Sequence, residues 1–185
     1  MARSDPRRPA LPVATRGLTS ARAVRATARG ARREGTVARV DDTHEWTAAS
    51  CTFVTGAASV RDARRFVDEV LVGWGVPAQA KGLSPVRLIV SELATNAVQH
   101  TKGASPHFRL DVRRESTDSL ALGLTDAAPG RPQRLPAAVR QDNGRGMDIV
   151  RALLVEAGGR LSVAPTPSGG KTVWVTLPWA HIASQ

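Results

Sequence analysis

The apolar positions of this chain follow two rhythms, and their alternation outlines a folded region that begins near residue 50. Ser50 to Thr55 roughly alternates and predicts a first strand with Phe53 as its anchor. Val60, Ala63, Phe66, Val67, Val70, Leu71 and Trp74 then recur at helical spacing. They predict a helix from Ser59 to Trp74, with Ser59 as its cap and Gly75 to Pro77 as its stop. A second helix is predicted from Ser84 to His100. Pro85 sits at a favoured first-turn position, and Val86, Ile89, Val90, Leu93 and Ala97 form one stripe. Phe108 to Arg113 alternates apolar with polar, as a half-buried strand does. Ser119 to Asp126 is mostly apolar and pairs with it across a turn near Ser116 to Asp118. Gly146 to Ala157 returns to the helical period and stops at Gly158-Gly159. Arg160 to Ala164 and Lys171 to Leu177 complete a hairpin around Pro165 to Gly170. This order predicts an α+β chain: a two-layer sandwich of a mixed or antiparallel sheet with helices on one face. Between residues 127 and 143 both rhythms fail. Pro129, Gly130, Pro132 and Pro136 read as a loop or lid, long enough to suggest function.

Composition refines the outline without redrawing it. Hydrophobic residues are 42% of the chain but aromatics only 4%, so the expected core is aliphatic. Cys51 is the sole cysteine, which excludes an internal disulfide and fits a reducing, cytoplasmic setting; it reads as a small buried hydrophobe. No apolar run is long enough to span a bilayer, and the start of the chain lacks a secretory pattern. The formal charge of +10 is unevenly placed. Residues 1–40 hold ten arginines against Asp5 and Glu34, a net +8, so the rest of the chain is nearly balanced. Residues 1–45 therefore read as a disordered Arg-rich tail, residues 46–180 as the domain and residues 181–185 as a short C-terminal tail. The tail is open to three readings: a dispensable extension, a nonspecific contact for nucleic acid or another polyanion, or a targeting peptide.

Candidate chemistry clusters in four places. Glu92 and Asn96 lie four apart in the second predicted helix, which stacks a carboxylate and a carboxamide one turn apart. A carboxylate can take a proton or hold a water, and an amide oxygen can ligate a hard cation such as Mg²⁺. Taken alone, the pair is more often a solvated helix face. Asp126 closes an apolar strand and can accept a hydrogen bond from an exocyclic amine; Pro129-Gly130 after it also suits a turn-initiating Asp. Gly144 and Gly146 open a helical pattern, where backbone N–H groups can approach an anion and the helix dipole favours it. An ordinary loop-to-helix turn has the same look, and no Walker A sequence is present. Thr172 can add a hydroxyl next to Asp126, although a β-branched residue is commonplace in a strand. Arg140 or Arg145 could reach a phosphate from the loop.

In this order the motifs resemble the Bergerat-fold ATPases, the superfamily of gyrases, heat-shock chaperones and sensor histidine kinases. Within it, the chain looks most like the small single-domain serine/threonine kinases that act as bacterial anti-sigma factors. The resemblance covers about residues 50–179. It implies ATP and Mg²⁺ as cofactors, Asn96 as a metal-holding residue and Glu92 as general base or water-orienting acid. It further implies that Asp126 binds the adenine amine, that Gly130 closes the second box, that Gly144 and Gly146 flank the phosphates, and that Thr172 lies near the adenine. Ala128 stands where the second box carries its first glycine. The implied partners are a sigma factor and a small anti-anti-sigma antagonist that would be phosphorylated, with a homodimer suggested and no membrane. The other class of function open to such a chain is a nucleotide-gated interaction module with little or no catalysis. A sensor histidine kinase fits less well, because an acceptor-bearing dimerisation helix would be expected before the ATP domain. The region before residue 50 is an Arg-rich stretch with His44 as its only histidine.

Overall fold

The computed structural model describes residues 21–24, 31–38, 47–100, 105–115, 118–127 and 145–183. Its centre is an antiparallel sheet of five strands: β3 (Thr47–Val54), β4 (His107–Glu115), β5 (Ser119–Asp126), β6 (Arg160–Pro165) and β7 (Lys171–Pro178). Two N-terminal strands, β1 (Ala21–Val24) and β2 (Ala31–Ala38), extend it to seven in the order β1-β2-β3-β4-β5-β7-β6. Helices α1 (Ala57–Gly73), α2 (Leu83–His100) and α3 (Arg145–Ala157) pack against it, and α4 (Trp179–Ala183) follows the last strand. This is the expected α+β sandwich, with the sheet wholly antiparallel.

Period-2 alternation sends Phe108, Leu110 and Val112 of β4 and Leu120, Leu122 and Leu124 of β5 into one buried layer. Leu71, Val86, Ile89, Val90, Leu93 and Ala97 of the helices complete it. Phe53 stacks on Phe108 at 5.3 Å and meets the edge of Phe66 at 6.2 Å, which ties β3, β4 and α1 together. Arg87 of α2 donates to Asp68 of α1 at 2.9 and 3.0 Å, fixing the two helices side by side.

Three expectations need correction. First, residues 21–24 and 31–38, expected to be disordered within the tail, form strands: β2 pairs with β3 from Ala31↔Phe53 to Thr36↔Ala48. The composition argument weighed side-chain burial. A strand added at a sheet edge is held through backbone N–H and C=O groups, which Arg-rich composition does not remove. Second, Ser59 does not cap α1. Gly56 is the N-cap and makes no side-chain cap bond, while the Ser59 hydroxyl donates to the Val54 carbonyl at 2.5 Å. Third, the domain runs past residue 180. Ile182 is fully buried in α4, and the Trp179 N–H donates to the Asp118 carbonyl at 2.7 Å, so α4 is part of the core. Among the described residues no helix is long and apolar enough to cross a membrane.

Candidate functional site

Helix α2 places Glu92 and Asn96 at half-buried positions flanking its apolar stripe, one turn apart as the spacing implied. Glu92 is directed at the start of α3. Gly146 is the second residue of that helix, and a Cβ there would overlap the Glu92 carboxylate oxygen Oε2. The glycine therefore makes the slot that seats this carboxylate against the first turn of α3. Negative charge is favoured there by the unpaired N–H groups and the helix dipole. Arg145 is the first residue of the same helix and is exposed.

The second half of the site is a corner of the sheet. Asp126 ends β5 with only 4% of its surface exposed. Directly opposite it in the β5–β7 register stands Lys171, whose Nζ lies 3.0 Å from Oδ1 and 3.0 Å from Oδ2. Gly170 permits this closeness: a Cβ there would collide with the Asp126 carbonyl and the Ala127 Cα. Ser105, also buried, braces the end of β5. Its hydroxyl accepts from the Ala127 N–H at 3.3 Å and donates to the His107 carbonyl at 2.5 Å. The carboxylate is thus oriented by Lys171, while Gly170 and Ser105 set the backbone on either side of it.

Thr172 is not beside that acid. Successive strand residues point to opposite faces, and Thr172 pairs with Thr125, their hydroxyls 2.8 Å apart. Lys171 takes the place expected for the threonine, on the face shared with Val173, Val175 and Leu177. Parity carried the signal: counting back by twos from those apolar residues reaches Lys171. Gly130, Gly144, Ala128 and Arg140 lie outside the described residues.

The donor set suits a nucleotide carrying a hard cation. Among the described residues no group of three or more His, Cys, Asp or Glu could hold a metal alone. Magnesium is commonly bound by one or two protein oxygens together with substrate phosphates, and Asn96 beside Glu92 offers that kind of partial shell.

The family model for histidine kinase-, DNA gyrase B- and HSP90-like ATPases matches residues 83–181, more than half of the chain, and so spans both halves of this site. The chain belongs to this ATPase family. Domains of the family bind ATP, typically with Mg²⁺. No curated protein matches the chain. Similar solved structures include the histidine kinase domain of the blue-light activated histidine kinase of Erythrobacter litoralis EL346. It is 26% identical, with a TM-score of 0.46, covering 60% of this chain and 51% of that one. Full-length ShkA in complex with AMPPNP is 19% identical with a TM-score of 0.47, covering 69% of this chain and 30% of its own. The catalytic domain of histidine kinase ThkA is 13% identical with a TM-score of 0.42, covering 69% of this chain and 94% of its own. This chain thus spans about half the length of the first and less than a third of ShkA. Membership in the ATPase family rests on the matched span and not on these overlaps.

Proposed function

We propose that this ATPase-family domain is a cytoplasmic serine/threonine protein kinase of the anti-sigma-factor type, which phosphorylates a small antagonist protein and sequesters a sigma factor. The observation that carries the proposal is the seating of the Glu92 carboxylate on the first turn of α3, against Gly146, with Asn96 one turn away. That arrangement puts a proton acceptor next to a helix start able to receive phosphate charge. Mg²⁺, when bound with ATP, neutralises phosphate charge, and Asn96 is the residue that would hold it. Glu92 then orients the attacking hydroxyl and takes its proton, so the rate arises from positioning and electrostatics more than from covalent chemistry. Asp126 grips the base through its exocyclic amine. Gly144 and Gly146 would flank the phosphates, with Arg145 at their edge.

The test is transfer of radiolabelled phosphate from Mg²⁺-ATP to a cognate antagonist. Glu92→Ala should abolish transfer while retaining most of the affinity for ADP. Undiminished transfer by that variant would remove Glu92 from the role of base. A second reading, a nucleotide-gated module without useful catalysis, is favoured by one observation: Ala128 stands where the second box carries its first glycine. It predicts that nucleotide changes the affinity for the antagonist with no label transferred.

A further inference from the structure

The Asp126–Lys171 pair is built into the fold. The register sets the two residues opposite each other, and Gly170 lets the start of β7 close on the end of β5. The carboxylate is buried at 4% side-chain exposure, whereas the lysine keeps 21%, so most of the accessible surface of the pair belongs to the lysine side chain. Neither group is exhausted by the other. An ionised carboxylate offers about four lone-pair sites, and an ammonium has three N–H donors. With Nζ directed to both Asp126 oxygens at 3.0 Å, one donor remains.

We propose that Lys171 is a second base-reading residue, donating to a ring nitrogen beside the exocyclic amine that Asp126 accepts. The proposal rests on the nucleotide-binding reading above and deepens it. An acceptor and a donor side by side match a base edge that presents a donor next to an acceptor. Adenine has that edge, its amine flanked by the unprotonated N1 and N7. Guanine presents a carbonyl at the same position, which would face the Asp126 carboxylate and be repelled. The pair therefore selects adenine through two contacts of opposite polarity.

The full-length protein tests this in a titration with fluorescent ADP, competed by 1-deaza-ADP and 7-deaza-ADP, each lacking one ring acceptor but keeping the amine. One of the two analogues should bind about tenfold more weakly than ADP, as expected for losing a hydrogen bond from a charged donor, and the other should match ADP. Which one fails identifies the edge read. In Lys171→Met, ADP itself should bind about tenfold more weakly and the discrimination between analogues should vanish. Equal binding of both analogues and ADP by the unmodified protein overturns the proposal, and this comparison needs no variant to fold. So does a folded Lys171→Met protein that binds ADP as tightly as before, or more tightly, which would leave Lys171 a counter-ion or a competitor. If the unmodified protein binds no ADP at all, the nucleotide reading falls as well. Binding of ADP with no discrimination removes the role of Lys171 alone.

Discussion

The two halves of the site are built by different physics. At the α2–α3 junction, Glu92 meets Gly146 because helical spacing aims a side chain and a missing Cβ leaves room for it. At the β5–β7 corner, Asp126 meets Lys171 because strand register sets one residue opposite another. An error of one residue on the helix rotates a side chain by about 100°, to the margin of the stripe or off it. The same error on the strand sends it to the other face of the sheet. A one-residue misreading therefore turns a side chain by about 100° in the first half and reverses it in the second.

The largest expected effect lies at the helical junction. Glu92→Ala should lower phosphotransfer by about a thousandfold, within the range for removing a general base, while ADP affinity changes by less than about threefold. Single-turnover transfer and an ADP titration on the same preparation separate the two. A parallel loss of both would mean that the Glu92 carboxylate holds α3 in place and has no part in the chemistry.

At the sheet corner the expected loss is in binding. Asp126→Asn keeps an acceptor oxygen but loses the charge, and should weaken ADP by about a hundredfold as the base loses its ionised partner. It also leaves Lys171 without its counter-ion, so the thermal transition should fall. Adding Lys171→Met should restore part of that stability without restoring affinity, because a partly buried charge left unpaired costs more than the pair is worth. Thermal melts and ADP titrations of the two singles and the double close the cycle. Additive melting shifts would show that the 3.0 Å contact is energetically idle.

Gly146→Ala sharpens the contrast by perturbing the junction from its other side. The added Cβ overlaps the Glu92 Oε2, so the carboxylate must move. Transfer should fall by about ten- to a hundredfold, as a displaced catalytic group does, with a smaller change in ADP affinity. In a Glu92→Ala background the same substitution should cost little more, since the group it displaces is gone.

Much of this was legible in the sequence where periodicity is long and one-sided. Ser119–Asp126 has the predicted limits, and α2 and α3 begin within one residue of the predicted starts. The Glu92 and Asn96 pairing on α2 followed from spacing alone. Gly146 was legible as a glycine at a helix start, but its role in seating Glu92 depends on how α2 and α3 pack. The N-terminal strands were illegible because edge pairing through the backbone leaves no apolar pattern. Helix α4 was missed because five residues cannot display a helical period, although Trp179 and Ile182 anchor it. Lys171 was passed over because it resembles a solvated strand end. Parity with Val173, Val175 and Leu177 marks it as sharing their face of the sheet.

The smallest effect decides whether that parity holds. Thr172→Val removes one hydroxyl at nearly constant volume. If Thr172 lies on the face away from Asp126, bonded to Thr125 at 2.8 Å, ADP affinity should change by less than about twofold. The cost should appear in stability, about 1 kcal/mol, because the half-buried Thr125 hydroxyl loses its bond. Thr125→Val should give a similar loss, and the double variant should cost less than the sum, since replacing both partners leaves nothing unsatisfied. A tenfold loss of ADP affinity in Thr172→Val, with stability unchanged, would put the threonine in the base pocket. It would reverse the faces of β7 at this corner, and Lys171 would then lose its place opposite the acid.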